Sequence, residues 1–371
     1  MRKKTVQNGI QWKDEPLADS WAEHANVWDE LVTRYSLPVI LRSRCINAVV
    51  NTLAVGNSGL RLLTAFSDGV PAFMAIGRRR NAVTFEIFRP SQIPIALALA
   101  ENSSALHAFV LGYLRQRRLP LLQFEIYQAD SKFYASLGST QHSCDIEYIT
   151  APYIDLPENF EEYFQGLSKN FRTNCKKQRN KLDTLGVTPR LVLISKAEDV
   201  AVALQHYSEL ELLGWKLRSG TAVSGASGQL DFYTALLESF AEVGQTQIAQ
   251  YWLKIDGEDR LVASDLCIVA GETAYMLKTA YDESLEASEN LSSLSPASLM
   301  HQELFKYWIH VCGVRRVEFY GKTMDWHLRW TKQQRLIYHT TLFRSAFVRK
   351  LITFAKQNLR KAAVAEVPKV S

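Results

Sequence analysis

The sequence predicts an α/β protein of two modules with mixed, mainly antiparallel sheets. Three observations carry this reading. At 371 residues the chain has room for two generous domains of about 150 residues or more each. Between 248 and 281, three strand-like segments follow one another across Asp256-Gly257 and Gly271-Glu272, and turns this short force antiparallel neighbours. The segment Leu122-Gln-Phe-Glu125-Ile-Tyr127 also has a counterpart in Arg316-Val-Glu318-Phe-Tyr320. Each follows an amphipathic stretch and precedes a polar loop with a ring pair, Phe133-Tyr134 or Trp326-His327. The match reads as an internal duplication, or as two buried strands that share Glu and Tyr by chance.

Taken in order, residues 1–20 are polar and read as a flexible segment. Short strands are expected at 37–42, 48–55, 60–66, 71–76 and 82–88, separated by turn residues such as Gly56-Asn57-Ser58-Gly59 and Asp68-Gly69. A helix over 104–118 and a buried strand over 121–127 complete a first module, 21–150. The second module, 151–345, opens with a basic helix at 160–185, where Phe171, Cys175 and Leu182 can share one face and Arg172, Lys176 and Arg179 another. Ser195-Lys-Ala-Glu198 has capping-box chemistry and starts a helix that Gly214 closes; another helix covers 229–243. The meander 248–281 leads through a polar loop to Ser295-Pro296, a hydroxyl N-cap with proline at the first helical position. That helix runs to Cys312 and stops at Gly313. A strand at 314–320, a short helix at 325–330 and a strand at 335–343 follow, and 346–371 form a basic C-terminal helix and tail.

Composition narrows the function classes. With 47% hydrophobic and 22% charged residues the chain is an ordinary globular protein, not a disordered, collagenous or coiled-coil one. Its longest apolar run, from Ile93 to Ala100, is far short of the about 20 residues a membrane span needs. The basic N-terminus reaches no apolar core of a secretory signal. Five cysteines, widely spaced and without a C-x-x-C pair, argue against a disulfide framework or structural zinc, and free thiols point to a cytoplasmic location. No metal is expected. The net charge of 43 − 38 = +5 is too weak over this length to imply nucleic acid. It is concentrated, however: 169–181 hold Lys169, Arg172, Lys176, Lys177, Arg179 and Lys181 and no acidic residue, which is a solvated helix face or a field for an anionic ligand.

Several residues carry candidate chemistry. The helix start at Ser295-Pro296 presents unpaired N–H groups and a positive dipole end, which suit a pyrophosphate; Ser295 and Ser298 can cap the helix or touch phosphate. Lys278 lies on a central strand, where an unpaired cation is costly, so it is snorkelling or binding an anionic or carbonyl group. Asp282 and Glu283, where the strand leaves the sheet, are a solvated acidic turn or a general base. Glu318, Asp325 and His327 gather at the end of the next strand, and His327 is a packed ring or a second acid–base candidate.

One stretch adds a resemblance. The segments Leu213-Gly-Trp215-Lys216-Leu-Arg218-Ser-Gly220-Thr221-Ala222, Lys278-Thr-Ala-Tyr281-Asp282-Glu283 and Ser295-Pro296-Ala297, in that order, resemble the GNAT-type acetyltransferases associated with bacterial cellulose and exopolysaccharide clusters, the CelD/BcsL type. That group is similar in turn to the Fem-type peptidyltransferases, which carry two GNAT modules. The resemblance covers about 155–345 well and 30–150 in outline. It implies tandem GNAT-like (acyl-CoA N-acyltransferase) modules. The C-terminal module would take an acyl group, acetyl above all, from acyl-CoA to an amine or hydroxyl of a small polar acceptor. It places Lys278, Ser295, Ala297 and Ser298 at the donor, Trp215, Lys216, Arg172, Lys176, Arg179, Glu318 and Asp325 at the acceptor, and Tyr281, Asp282, Glu283 and His327 at the chemistry. Two positions depart from the pattern. Ala297 stands where Ser-Pro-Gly is common, and Trp326-His327 stands where a Tyr-Lys pair is common. An aminoacyl-tRNA donor of the Fem type, and a degenerate GNAT scaffold without catalysis, remain the other readings.

Overall fold

The computed structural model describes residues 10–57, 59–116, 121–212, 228–255, 257–287 and 291–365, with side chains to Ala355. In chain order its elements are β1 (Ile10–Pro16), α1 (Leu17–Arg34), α2 (Ser43–Ala48), β2 (Leu60–Ser67), β3 (Val70–Arg79), β4 (Thr84–Ile87), β5 (Ala98–Leu99), α3 (Ser103–Gln116), β6 (Gln123–Asp130) and β7 (Ser143–Asp155). There follow α4 (Phe160–Gly166), α5 (Lys169–Thr184), β8 (Pro189–Ile194), α6 (Ala197–Leu212), α7 (Gln229–Ala241), β9 (Thr246–Ile255), β10 (Glu258–Ala270), β11 (Thr273–Tyr281), α8 (Pro296–Tyr307), β12 (Arg316–Glu318), α9 (Asp325–Trp330), β13 (Gln334–Phe343) and α10 (Ala346–Ala365).

The chain folds as two compact units, each discontinuous in sequence. The first contains the chain through Ser43, Gly56–Ile149 and everything from Leu336; the second contains Arg44–Val55 and Thr150–Arg335. In the first, the strands lie in the order β1-β2-β3-β4-β6-β13, with β5 beside β3. In the second the order is β7-β12-β11-β10-β9-β8. The neighbours in the two orders are antiparallel except one pair in each unit.

Those two exceptions occupy corresponding places in the two units. In the first unit β4 pairs with β6 in parallel over Thr84↔Gln123, Phe85↔Phe124 and Glu86↔Glu125. In the second, β11 pairs with β12 in parallel over Thr273↔Arg316, Ala274↔Val317 and Tyr275↔Glu318. Each pair joins the last strand of a three-strand meander to the strand after a crossover helix, α3 or α8. Glu125 and Glu318 occupy the same rung. The outer neighbour of each crossover strand comes from the other half of the sequence: β6 pairs with β13, and β12 pairs with β7. A mixed, mainly antiparallel α/β architecture is thus present in both halves, as the sequence led us to expect.

Each sheet is covered by the apolar faces of its helices. In the first unit Phe85 stacks on Phe124 at 5.1 Å between ring centroids, and Tyr113 of α3 meets Phe124 edge-on at 6.1 Å. In the second, Phe171, Cys175 and Leu182 of α5 join Leu299, Met300, Leu304 and Phe305 of α8 in one core over β9–β11, so the helical spacing read from the sequence holds. Gly313 follows the helix that starts at Pro296 with φ +67°, the left-handed stop that glycine provides.

Three expectations change. Residues 37–42 are not a strand: Val39–Leu41 is a single 3₁₀ turn. Residues 48–55 are helical too, since α2 runs on into a wide turn at Val49–Leu53. Cys45, Ile46, Ala48 and Val49 are all buried, a spacing of one helix face rather than the alternation of a strand. In the stretch expected to be loose, Ile10–Pro16 pairs antiparallel with β2, and Leu17–Arg34 is a helix with buried Trp21, Trp28 and Leu31.

Candidate active site

The second unit gathers its polar residues around β11. This strand holds β12 only as far as Tyr275↔Glu318, yet it continues to Tyr281. Its register with β10 also slips: Met276 faces Cys267 and Lys278 faces Leu266, so Leu277 is the extra residue of a β-bulge. The slip reverses which side chain meets which layer. Met276 packs in the core shared with α8, whereas Lys278 reaches α6 and α7. There its Nζ lies 3.9 Å from Glu211, 3.3 Å from Gln229 Oε1 and 5.8 Å from the centre of the Tyr233 ring. Lys278 is therefore a paired, largely buried cation. Burial and the Glu211 charge push the hydroxyls of Tyr207 and Tyr233 well up from their ordinary value.

On the α8 side, Asp265 of β10 stands opposite Thr279 and bonds His301 of α8, Oδ2 to Nε2, at 2.9 Å. Both side chains are closed to solvent. The second atom of each, Asp265 Oδ1 and His301 Nδ1, is buried without a hydrogen-bond partner. A carboxylate accepts only, so the proton of this bond sits on Nε2. The His301 ring lies parallel to Phe305 at 5.6 Å and meets Trp326 at 5.7 Å.

His327 joins the same cluster. Its ring stacks on Trp326 at 3.6 Å and meets Phe319 edge-on at 5.0 Å, and its Nδ1 accepts from Met324 N–H at 3.0 Å. Burial is the main force that lowers its pKa, to about 4, with the His301 charge adding and the Met324 bond opposing. His327 is thus a neutral ring near neutral pH. Asp325, two residues earlier, is exposed in the first turn of α9 and outside this cluster.

The acidic turn after β11 is ordered from within. Asp282 is buried; its Oδ2 takes a bond from Arg260 at 2.5 Å, and its Oδ1 takes bonds from Ser284 N and Oγ at 2.9 and 2.7 Å. Glu283 opens the short helical turn Glu283–Ala287, and Tyr281 is 37% exposed. Glu318 is equally committed: Arg316 Nε donates to it at 2.6 Å and Arg335 at 2.5 Å, with Glu318 and Arg335 buried.

At the start of α8 the hydroxyl of Ser295 does not cap the helix. It bonds Ser298 Oγ at 2.9 Å, while Ser295 N–H donates to Gln178 of α5 at 2.8 Å. The first-turn N–H groups therefore have no side-chain cap. Ala297 sits half-buried among them. Helix α5 lies alongside: Lys181 Nζ donates to Ser293 at 2.8 Å, and Arg179 pairs with Glu303 at 3.4 Å. Lys176 is exposed, and Arg172 bonds the Leu167 carbonyl and Gln165. Trp215 and Lys216 lie outside the described residues. Among the described residues no group of three or more His, Cys, Asp or Glu could hold a metal ion.

The structure thus unites Lys278, His327, Ser295, Ala297, Ser298 and Arg179 with β11 and α8. It adds two residues that sequence reasoning passed over, Asp265 and His301. The available signal was Asp265 itself, the one charged residue in the run Val262–Ala270, where an unpaired charge would be costly.

Comparison with known proteins bears on the fold. Residues 169–328 match the family described as Acetyltransferase (GNAT) domain. No curated protein matches the chain. Among solved structures, the chain is similar to FemX, at 12% identity and a TM-score of 0.54 over 86% of this chain and 96% of that one. It is also similar to a conserved Bacteroides thetaiotaomicron protein of unknown function, at 11% identity and 0.48 over 90% and 99%. A tandem GNAT protein of the clavulanic acid biosynthesis pathway aligns at 13% and 0.39 over 89% and 98%. Residues 169–328 thus match the GNAT acetyltransferase domain, and the chain shares the fold of FemX.

Proposed function

We propose that the protein is an acyl-CoA-dependent acyltransferase whose second unit carries the reaction. The observation that supports it most is the bulge at Leu277, on the part of β11 that runs past its pairing with β12, beside the buried Asp265–His301 pair. A backbone N–H freed from the ladder at such a bulge suits the oxygen of a thioester carbonyl. The uncapped first turn of α8, with Ser295, Ala297 and Ser298, suits the donor pyrophosphate, and Arg179 and Lys181 supply cations beside it. Alanine at 297 keeps the backbone open to such a ligand.

In the reaction, the acceptor nitrogen or oxygen attacks the thioester carbon, the new bond forms, and the C–S bond breaks to release CoA. His301 Nδ1 takes the acceptor's proton, with Asp265 holding the ring tautomer and balancing the imidazolium. Asp282 and Glu283 order the turn that ends β11, and Tyr281 stands at the strand's exposed end. Lys278, paired with Glu211 and Gln229, ties α6 and α7 to the strand that carries the bulge. The acceptor is a small polar compound of polysaccharide or cell-envelope metabolism, in keeping with the CelD/BcsL resemblance.

A second reading takes aminoacyl-tRNA as donor, as in the Fem group; the exposed basic face of α5 at Lys176 and Arg179 favours it. Calorimetric titration of the full chain with acetyl-CoA, longer acyl-CoAs and aminoacyl-tRNA, with and without Ala297→Trp, separates the two. Binding of acyl-CoA that the variant abolishes supports the first reading. Binding of aminoacyl-tRNA alone replaces it with the second.

A further inference from the structure

Helix α10 in the first unit is turned the unusual way round. Its large apolar residues Phe347, Leu351 and Phe354, spaced i, i+4, i+7 on one face, are 74%, 54% and 63% exposed. Val348 and Ile352, one position on, are half-buried. Scattered exposed apolar residues are normal on any protein, but a contiguous stripe marks an interaction surface. Beside the stripe is a cavity of about 300 Å³ lined by Gln141, Ala346, Arg349, Lys350, Thr353 and Phe354. It places two cations, an amide and a hydroxyl against one aromatic ring.

The charge of the helix chooses between occupants. Residues 346–365 include Arg349, Lys350, Lys356, Arg360 and Lys361 and no Asp or Glu. A second copy of this chain would bring an equally cationic helix, in a protein whose net charge is already +5, and like charges would oppose the contact. An anionic bilayer surface meets both halves of the pattern: its acyl chains take Phe and Leu, and its phosphates take Lys and Arg. No described helix is long and apolar enough to cross a membrane, so α10 would lie along the surface. We propose that α10 docks the protein on anionic phospholipid membranes, with Phe347, Leu351 and Phe354 among the acyl chains and the cavity at Arg349 and Lys350 holding a headgroup phosphate.

Co-sedimentation of the full chain with phosphatidylcholine vesicles, with and without phosphatidylglycerol, tests this. The chain is expected to bind the anionic vesicles about tenfold more strongly or better, and to lose that binding as salt rises. Replacing Phe347, Leu351 and Phe354 together by Ser should reduce binding by at least the same factor. Lys350→Glu, a single exposed change that leaves the apolar stripe intact, should weaken it several-fold. Equal or absent binding on the two vesicle types overturns the proposal. So does unchanged binding in both variants, or a lipid-free, concentration-dependent association of the chain that the triple change abolishes.

Discussion

Asp265 and His301 join β10 to α8 through one 2.9 Å bond, at a depth where neither side chain touches solvent. Two further polar atoms, Oδ1 of the first and Nδ1 of the second, are buried beside that bond without partners. Buried polar groups are nearly always satisfied, so an orphaned pair has a reason specific to its place. A purely structural tie would gain by bonding those atoms to backbone. The unpartnered atoms lie in the layer that carries the bulge of β11, and the proposed role of His301 rests on that.

His301→Gln should lower kcat by about 10²–10⁴, the usual worth of a general base, with acyl-CoA affinity unchanged. Asp265→Asn should lower kcat less, because the ring loses its tautomer and orientation but not its presence. Glutamine is the informative change at 301. Alanine would leave the Asp265 carboxylate buried and alone, a loss of about 3–5 kcal/mol that would mix folding with catalysis. Calorimetry, thermal melts and turnover on the same samples check all three points.

The depressed pKa of His327 ties stability to pH. In the folded chain this ring protonates at about 4, against 6.5 for an ordinary histidine. Between those values the unfolded chain holds more protons, so stability rises with pH across the window, is complete above 6.5 and is lost as pH falls toward 4. At about 1.4 kcal/mol per pKa unit the contribution is about 3 kcal/mol. His327→Asn, which keeps an acceptor for Met324 N–H, should flatten the rise of the melting temperature from pH 4 to 6.5. An unchanged slope would show that another group titrates there.

Much of this arrangement was legible in the chain itself. Asp256-Gly257 and Gly271-Glu272 announce the meander, Ser295-Pro296 announces α8, and Glu125 and Glu318 mark the repeated strands. What lay hidden depended on contacts distant in sequence. Residues 48–55 read as a strand because Ala-Val-Val is β-rich, whereas packing against other elements makes Val49–Leu53 helical. His301 stands mid-helix among apolar neighbours and looks like core until Asp265, far away in the chain, supplies its partner. The register slip at Leu277 leaves no trace in residue type, because Met-Leu-Lys could alternate as well in a flat strand.

Glu318 is expected to act on stability rather than turnover. It takes bonds from Arg316 and Arg335, and the second partner is itself buried. Glu318→Gln leaves the Arg335 guanidinium without its carboxylate and should cost about 3–5 kcal/mol. Urea unfolding measures that loss. The acceptor KM of the folded fraction should stay the same, which would separate Glu318 from the acceptor site.

The turn after β11 offers the sharpest contrast with His301. Asp282 stands at the strand's end, where a general base for the acceptor might be sought by position alone, yet Arg260 and Ser284 occupy both of its oxygens. A carboxylate so engaged must break those bonds before it can take a proton. Its removal should therefore appear first as loss of order. Arg260→Ala leaves Asp282 buried with only Ser284, and should lower the melting temperature markedly, in line with the penalty for stripping one partner from a buried charge. Asp282→Asn keeps a side chain able to accept from Ser284 and should melt earlier too, with kcat reduced by no more than about threefold, well below the 10² expected for a lost base. A drop of two orders of magnitude in kcat for Asp282→Asn, at an unchanged melting temperature and with His301→Gln still active, would move the base from α8 to the end of β11.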